Sequence, residues 1–462
     1  MMGAMLALLV LLGQTPASGT PDLIAGLGSG RYAEREAAAA ALEHLGREAL
    51  PVLRSALDDR DPEIRTRAAA LIAKIEGALL TQPTLIRLDF DDQPLTEVVR
   101  TVGARAGLKL ALIPESAPGL QGRKVTLREH EPVPFWKAID RLCEVGHLQY
   151  NIGMPGQPGS REPVFPLYVI GVRPTGPTSD SGPFRVNLVS LHYQRDVVFV
   201  NPPQPLNRIG LLPALLPVPA NEARPASTTN EQFHAQVQVA AEPRLSLTPN
   251  GSLRITEAVD DRGQSLLIAA GSETATPRYS GGYFGLTAGS TMQMQAPLKH
   301  PEMPGKVIRH LRGVIPVMVA TRKPSPLVAP LSGTPGTKSF QNDEVSLDIL
   351  DVRINPNPNV NQTSIDLSIR PRSGLTEAQA APIALHGEFP IQRPDLHHQQ
   401  IEVVDAQGRP IPWYHSSFDA EGARITLTLT PTGQGSPAEV RYYGLARAAT
   451  EIAFEFTDVP MP

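Results

Sequence analysis

Hydrophobic positions between residues 84 and 152 follow two periods, one of two residues and one of three to four residues. Apolar and polar side chains alternate from Thr84 to Phe90, which predicts a half-buried strand. A helix is predicted next, because residues 91–94 supply capping carboxylates and a proline suited to a first helical turn. We expect this helix to end near residues 103–107, where two glycines stand. Its apolar face is formed by Leu95, Val98, Val99 and Val102.

Two more strands, a second helix and a closing strand are predicted in the rest of this region. Residues 108–113 and 124–127 have strand patterns, and residues 148–152 predict the closing strand. Pro134 is suited to begin the second helix and Gly146 to end it. The apolar face of that helix is formed by Phe135, Ala138, Ile139, Leu142 and Cys143. The region therefore predicts one β-α-β-β-α-β unit.

This unit carries a recognisable series of short motifs. They are Asp91-Asp-Gln-Pro-Leu-x-Glu-Val-Val99, Val125-Thr-Leu127, Pro134-Phe-x-x-Ala-Ile-x-x-Leu142 and Leu148-x-Tyr150. The series resembles the short N-terminal (STN) domain of secretins and TonB-dependent receptors. The resemblance implies an STN-like αβ domain over residues 84–173. It also implies protein-protein contacts in the cell envelope, and it transfers no catalytic residue.

A helical segment with internal repetition precedes this unit. Two series of five residues match at an offset of 30 residues, which indicates repeated helices. They are Arg35, Ala38, Ala39, Leu42 and Leu45, and Arg65, Ala68, Ala69, Ile72 and Ile75. Residues 61–63, Asp-Pro-Glu, favour a helix start. The series resembles HEAT repeats, which implies a HEAT-like segment over residues 20–80 with its small residues facing a neighbouring helix and its arginines near the turns.

The chain beyond residue 180 has the pattern of strands and turns. A strand leads into Asp260-Asp-Arg-Gly263, and another leads into Asp405-Ala-Gln-Gly408, which suggests a similar hairpin in two β-sandwich domains. Residues 451–456 alternate well enough to form a closing strand of the second domain. The 47 prolines and 38 glycines of the chain are consistent with a turn-rich body.

Domain boundaries follow from these patterns. We expect the first sandwich over residues 184–322, interrupted by a long Pro-rich loop at 201–230, and the second over residues 338–462. Pro, Ser and Gly cluster at residues 323–337, where we place the boundary between them. The fold class is thus α+β and multidomain: short HEAT-like helical hairpins, a small STN-like domain and mainly antiparallel β-sandwich domains.

The first residues have the pattern of a secretory signal. An apolar run from Ala4 to Leu12 is followed by small residues at positions 15–17, which suit cleavage before Ser18. The run is too short to span a bilayer. We therefore expect a signal peptide over residues 1–18, a secreted or periplasmic protein of the cell envelope, and no integral membrane segment after the signal is removed.

Composition excludes some classes of function. The 42 basic and 46 acidic residues leave a net charge of −4, so no overall positive field attracts the chain to nucleic acid. Cys143 is the only cysteine, which excludes an intrachain disulfide and a thiolate metal cluster. Its place on the apolar face of the second helix predicts a buried small side chain rather than a nucleophile.

Two groups of side chains are candidate ligands for a transition metal. The first group is His386, Asp395, His397, His398 and His415. Adjacent histidines on a strand point to opposite faces, so exposed loop histidines are the simpler interpretation. The second group, a candidate copper site, is Met292, Met294, His300, Met303 and His310. Met292 and Met294 are two apart on a strand-like run, which favours shared core packing.

Two groups of carboxylates are candidate ligands for calcium. They are Asp260 and Asp261, and Asp343, Glu344, Asp348 and Asp351. Neither group has the ligand spacing of a calcium loop. The first is most simply a turn, because Asp and Gly supply turn geometry. We assign no metal ligand and no cofactor from the sequence.

Established catalytic templates are missing from the sequence. It has no Gly-x-Ser-x-Gly elbow, no Walker-type glycine loop and no His-Glu-x-x-His pair, so we assign no catalytic residue. The leading hypothesis is a non-enzymatic adaptor or scaffold that binds other envelope proteins, with edge-strand addition as the mode of contact. The alternatives are a carbohydrate- or metal-binding β-sandwich protein and an envelope hydrolase.

Overall fold

The computed structural model describes residues 20–117, 119–120, 122–150, 164–169, 176–199, 227–268, 291–331, 336–342, 344–354, 363–372, 400–418, 424–429 and 435–462. Helices come first and mainly antiparallel strands follow, which confirms the α+β class. The chain forms two compact units: one holds the described residues up to Gln82 with residues 446–448, and the other holds residues 83–445 and 449–462. No helix in these described ranges has the length and hydropathy needed to cross a bilayer.

The first unit is built from four α-helices. They are α1 (Thr20–Leu27), α2 (Tyr32–Leu45), α3 (Leu50–Ser55) and α4 (Pro62–Thr81), with 3-10 turns at Gly46–Ala49 and Ala56–Asp58. The predicted start of α4 is confirmed, because the Asp61 carboxylate accepts a hydrogen bond from the backbone N–H of Glu63 at 2.8 Å. The buried side chains form one cluster: Leu27, Ala38, Leu42, Ala49, Leu50, Leu53, Ala56, Ile64, Ala68, Leu71 and Ile75.

The 30-residue offset in the sequence corresponds to a repeated contact. Arg35 Nη1 donates to the carbonyl oxygen of Ser29 at 2.8 Å, and Arg65 Nη1 donates to that of Asp59 at 2.8 Å. Each arginine therefore binds the chain six residues before it, where the preceding turn leads into its helix. The small residue three positions after each arginine is buried in both copies. The interpretation of this segment as a helical repeat is confirmed.

The second unit begins with an αβ region of six short strands and two helices. They are β1 (Leu85–Ile86), β2 (Asp89–Pro94), α5 (Leu95–Ala106), β3 (Lys109–Ile113), β4 (Lys124–Arg128), β5 (Val133–Pro134), α6 (Phe135–Gly146) and β6 (Val164–Tyr168). β1 pairs with β5 and β2 with β4, both antiparallel, whereas β3 pairs with β6 in parallel. Cys143 is buried on α6, as its position predicted.

Three local predictions in the αβ region differ from the structure. The one strand predicted from Thr84 to Phe90 is divided between β1 and the start of β2, which pair with different strands. Pro94 stands at the N-cap of α5 rather than in its first turn, because Asp91 and Asp92 belong to strand β2. The closing strand is β6, whereas residues 148–150 of the predicted strand 148–152 form none; residues 151 and 152 lie outside the described residues. Leu148 donates its backbone N–H to the carbonyl of Cys143 at 2.9 Å, so it closes the end of α6, and only Gln149 forms an isolated bridge.

Two four-stranded sheets follow. The first has the order β12 (Thr291–Leu298), β9 (Ser227–Ala241), β8 (Phe184–Phe199) and β7 (Thr178–Ser181). The second contains β10 (Ser246–Pro249), β11 (Arg254–Asp260), β13 (Val307–Arg322) and β23 (Leu445–Pro460), of which β13 pairs with the other three. β23 includes the strand expected at residues 451–456, but it pairs with β13 rather than with a strand of the 338–462 region. Its buried Ile452, Phe454 and Phe456 provide the apolar surface that holds it there.

Two further sheets share one hydrophobic core. One has the order β14 (Leu327–Pro330), β22 (Pro437–Tyr442), β18 (Ile401–Asp405) and β19 (Pro410–Ile411). The other has the order β15 (Lys338–Gln341), β16 (Val345–Ile354), β17 (Thr363–Pro371), β21 (Arg424–Leu429) and β20 (Trp413–Phe418). Buried residues of both sheets, including Val403 and Leu427, belong to the same cluster. β14 lies inside the segment 323–337, where the sequence suggested a boundary.

The repeated Asp-x-x-Gly motif forms the same turn twice. Asp260 accepts hydrogen bonds on Oδ1 from the backbone N–H groups two and four residues later, and Asp405 does the same. Gly263 and Gly408 both have positive φ, 79° and 74°, which only glycine adopts readily. The predicted similarity of the two hairpins is confirmed at this turn.

Gly313 of β13 provides a test of how closely β23 approaches. A Cβ atom there would lie 2.6 Å from Cζ of Phe454 and 2.7 Å from the carbonyl oxygen of Arg254. We expect Gly313→Ala to lower the free energy of unfolding by about 1–3 kcal/mol through overpacking, as measured by guanidinium chloride denaturation. Gly435→Ala is the matched control, since its nearest neighbours would be at 3.4 Å. Equal stability of the two variants would contradict the close approach of β23.

Asp260 predicts a pH dependence of stability. Burial alone would raise the pKa of this carboxyl, but hydrogen bonds from the backbone of Gln264, Gly305 and Arg262 outweigh burial and hold it below its ordinary value. Because the folded pKa is the lower one, the stabilisation is complete above the unfolded pKa of about 4 and is lost as pH falls through the folded pKa.

The variant Asp260→Asn should therefore be less stable than wild type at pH 7 by about 1–3 kcal/mol, and its stability should fall less steeply below about pH 4. Denaturation midpoints between acid and neutral pH measure both effects. The exposed Asp351→Asn is the control. An acid dependence of Asp260→Asn as steep as that of wild type would show that Asp260 is not the group responsible.

Candidate functional site

One buried arginine holds the αβ region on the sheet β12–β9–β8–β7. Arg185 of β8 is only 2% exposed. It forms two-pronged hydrogen bonds with Asp180 (Nε–Oδ1 2.6 Å, Nη2–Oδ2 2.6 Å) and with Asp140 of α6 (Nη1–Oδ1 2.9 Å, Nη2–Oδ2 2.7 Å). Its guanidinium carbon lies 5.1 Å from the ring centre of Trp136, within reach of a cation-π contact. We name this group the arginine clamp.

Protonation in the clamp is fixed by its neighbours. Burial alone would lower the pKa of Arg185, but hydrogen bonds to Asp180 and Asp140 raise it, so the guanidinium stays charged. Burial raises the pKa of Tyr150, whose hydroxyl stays protonated and donates to Asp140 Oδ1 at 2.8 Å. Trp136 Nε1 donates to the carbonyl of Pro183 at 3.1 Å. The clamp is thus a satisfied structural network that joins α6 to the start of β8.

A second buried charge fixes the other side of this junction. Glu242, directly after β9, is 1% exposed. Its Oε1 accepts from the backbone N–H of Thr84 at 2.8 Å, and its Oε2 accepts from Arg244 Nε at 2.8 Å. Ala240, which pairs with Arg185 across the sheet, belongs to the hydrophobic cluster of the αβ region. The base of the β8–β9 hairpin is therefore held firmly.

The far half of the β8–β9 hairpin extends beyond its neighbouring strands. β7 pairs with β8 only as far as Asn187, and β12 pairs with β9 only from Phe233 to Ala240. β8 and β9 nevertheless continue to pair as far as Phe199 and Ser227. We name residues 189–199 and 227–236 the ribbon. Within the described structure, the outer edges of residues 189–199 and 227–232 have no strand partner.

The two faces of the ribbon have different chemistry. On one face Tyr193 lies beside Phe233, with ring centres 6.3 Å apart, and His300 stacks on Tyr193 at 3.8 Å. On the other face His192 lies beside His234 at 5.1 Å, and Gln194 Nε2 donates to Asp196 Oδ2 at 2.9 Å. Large apolar side chains are nevertheless exposed: Val189 at the base of the ribbon, and Val197, Val198 and Phe199 near its tip, the last at 76%. Exposed strand edges with apolar side chains are a typical binding surface for other strands.

The metal candidates from the sequence are only partly within the described residues. Those outside are Asp343, His386, Asp395, His397 and His398, while the backbone of His415 lies in β20. Met292 and Met294 are both buried on β12, whereas Met303 is exposed. His310 Nδ1 lies 3.4 Å from Glu455 Oε1. In the part of the chain that the structure describes, no three His, Cys, Asp or Glu side chains form a group suited to a metal ion.

The remaining carboxylate candidates have ordinary structural contacts. Asp261 Oδ1 accepts from the backbone N–H of Lys306 at 3.0 Å. Glu344 pairs with Lys323, and Asp348 pairs with Arg370.

Sequence reasoning did not single out the arginine clamp. The available signal was a charged residue, Arg185, between two apolar residues at the start of a strand.

A further buried charge lies where β13 meets the sheet of β18 and β22. Glu402 is 1% exposed and accepts at Oε2 from the hydroxyl of Tyr443 at 2.9 Å. The Arg322 guanidinium carbon lies 4.7 Å from the ring centre of Tyr443. Burial raises the pKa of Tyr443 and lowers that of Arg322. This group ties the end of β13 to the following sheets.

Comparison with known proteins supports the helical segment alone. The HEAT repeats family matches residues 20–103, which include α1 to α4 and continue into α5. Residues 20–81 are therefore a HEAT-like helical segment. Neither the curated proteins nor the solved structures give a significant match.

The arginine clamp makes a testable contribution to stability. We expect Arg185→Met to lower the free energy of unfolding by about 3 kcal/mol, because Asp140 and Asp180 lose their partner. This value is the lower end of the range for a broken buried ion pair. We choose the lower end because both carboxylates are partly exposed. Denaturation followed by tryptophan fluorescence measures it. The control is Arg353→Met, since exposed Arg353 also binds one aspartate, Asp366, through both carboxylate oxygens and should cost under about 1 kcal/mol. Equal losses would contradict the clamp.

Proposed function

We propose that this protein is a non-enzymatic adaptor or scaffold of the cell envelope, secreted or periplasmic, that binds other proteins by accepting their strands. The observation that carries the proposal is the ribbon: among the described strands, neither of its outer edges has a partner, and its base is held firmly. Backbone N–H and C=O groups along such an edge supply affinity, and the side chains beside it supply specificity.

Three further features support this proposal. The αβ region has the motif series of STN domains, a family associated with contacts between envelope proteins. The β-rich remainder is consistent with the predicted sandwich domains, which would serve as spacers or as a second binding face. HEAT-like helices are a common protein-binding scaffold, although a segment of this size is too short for a long concave surface.

The ribbon can be tested without disturbing the fold. We expect Val197→Lys/Phe199→Lys to abolish recovery of partners, since lysines on an exposed edge oppose strand addition. The measurement is in-cell crosslinking and affinity recovery, with mass spectrometry identifying both the proteins and the crosslinked peptides. The control is Val328→Lys in β14, where the valine is 40% exposed against 46% for Val197.

Partners crosslinked to residues 189–199 or 227–232, retained by the control and lost from the double variant, would support the proposal. Recovery of no partner, or the same partners from all three proteins, would overturn it. A deletion of the αβ region, residues 84–152, would be a less specific test. It removes Asp140 and leaves the buried charge of Arg185 with one carboxylate fewer.

A further inference from the structure

The free edge of β8 has an internal symmetry. Among the described residues it runs from Val189 to Phe199, and Gln194 stands at the midpoint of that range. Two antiparallel copies of one strand related by a two-fold axis must be centred on a residue, because only residues an even number apart direct their backbone groups to the same edge. Centring on Gln194 pairs the whole free edge of one copy with that of the other.

Side chains match in this register. His192 stands opposite Asp196 of the second copy, and Tyr193 stands opposite Arg195, each pair occurring twice by symmetry. Leu191 meets Val197, so two apolar side chains meet, and Ser190 stands opposite Val198. Val189 lies in the β-bulge between Leu188 and Ser190, outside the regular alternation of the strand. The Leu191–Val197 pair falls on the face that carries Tyr193 and Phe233, and the His192–Asp196 pair falls on the face that carries His192 and His234. Cross-strand pairs of this kind stabilise antiparallel sheets.

Neighbouring registers are less favourable. Centring on Arg195 places two guanidinium groups opposite each other, and centring on Asp196 places two carboxylates opposite each other, which is destabilising. Centring on Tyr193 places Leu191 opposite Arg195 and leaves Phe199 without a partner. The charge pattern of the edge therefore selects the register centred on Gln194.

We propose that the β8 edge, residues 189–199, pairs with the same edge of a second copy of this chain. The sheet β12–β9–β8–β7 of one copy then joins the same sheet of the other copy, and the two form one continuous sheet across the two-fold axis. This inference rests on the proposed role of the ribbon as an interaction surface and names a partner for one of its edges. The edge of β9, residues 227–232, has no partner among the described strands and is left for a different protein.

A charge-swap cycle tests this register. His192→Asp places a carboxylate opposite Asp196 twice per dimer and should raise the dimer dissociation constant about tenfold. Adding Asp196→Lys to it places opposite charges at these two positions, so the double variant should regain the affinity of wild type. Thr229→Asp adds the same charge on β9, away from the paired edge, and should change little. Sedimentation equilibrium of the purified proteins measures each constant, and hydrogen exchange should show protection of residues 189–199 at high concentration.

The outcomes separate this inference from the proposed function. A dimer weakened by His192→Asp and restored by the double variant supports the pairing. A monomer at all concentrations, or a dimer indifferent to His192→Asp, overturns it. If the chain does not pair with itself but still captures envelope proteins through the ribbon, the proposed function stands and only the self-pairing fails.

Discussion

The placement of the αβ region and of the ribbon depends on the buried guanidinium of Arg185. The Arg185 side chain is only 2% exposed, so its charge is costly to remove from water. Hydrogen bonds to two carboxylates and the contact with the face of Trp136 offset that cost. Because the planar group binds Asp180 and Asp140 through paired hydrogen bonds, it restricts angle as well as distance. A cluster of apolar side chains could supply similar stability, but it would define the orientation of α6 on β8 less strictly.

A ribbon on such a base differs from a flexible loop. Unpaired edges are usually short or blocked in soluble proteins, since they invite unwanted pairing. Here β8 and β9 continue well past β7 and β12, and the exposed side chains near the tip include Val197 and Phe199. A held base reduces the entropy lost when a partner strand is added. Specific pairing is favoured over promiscuous pairing when charges along the edge oppose the wrong registers.

The β-rich part of the chain joins segments that are distant in sequence. β23 returns to β13, and the Glu402 group joins the end of β13 to β18 and β22. Long-range contacts of this kind make the second unit continuous from the αβ region to the last strand. The ribbon is therefore supported by a body larger than its own hairpin.

Local patterns in the sequence determined the helical repeat, the two helices of the αβ region and the twin Asp-x-x-Gly turns. Each depends on residues within a few positions, such as Arg35 reaching Ser29 or Asp405 accepting from Arg409. Only the tertiary structure decided that β6 closes the αβ region, that β23 joins β13 and that Arg185 meets Asp140. Strand pairing and the burial of a charge depend on which distant segment of the chain packs there. The periodicity along one segment does not identify that partner segment.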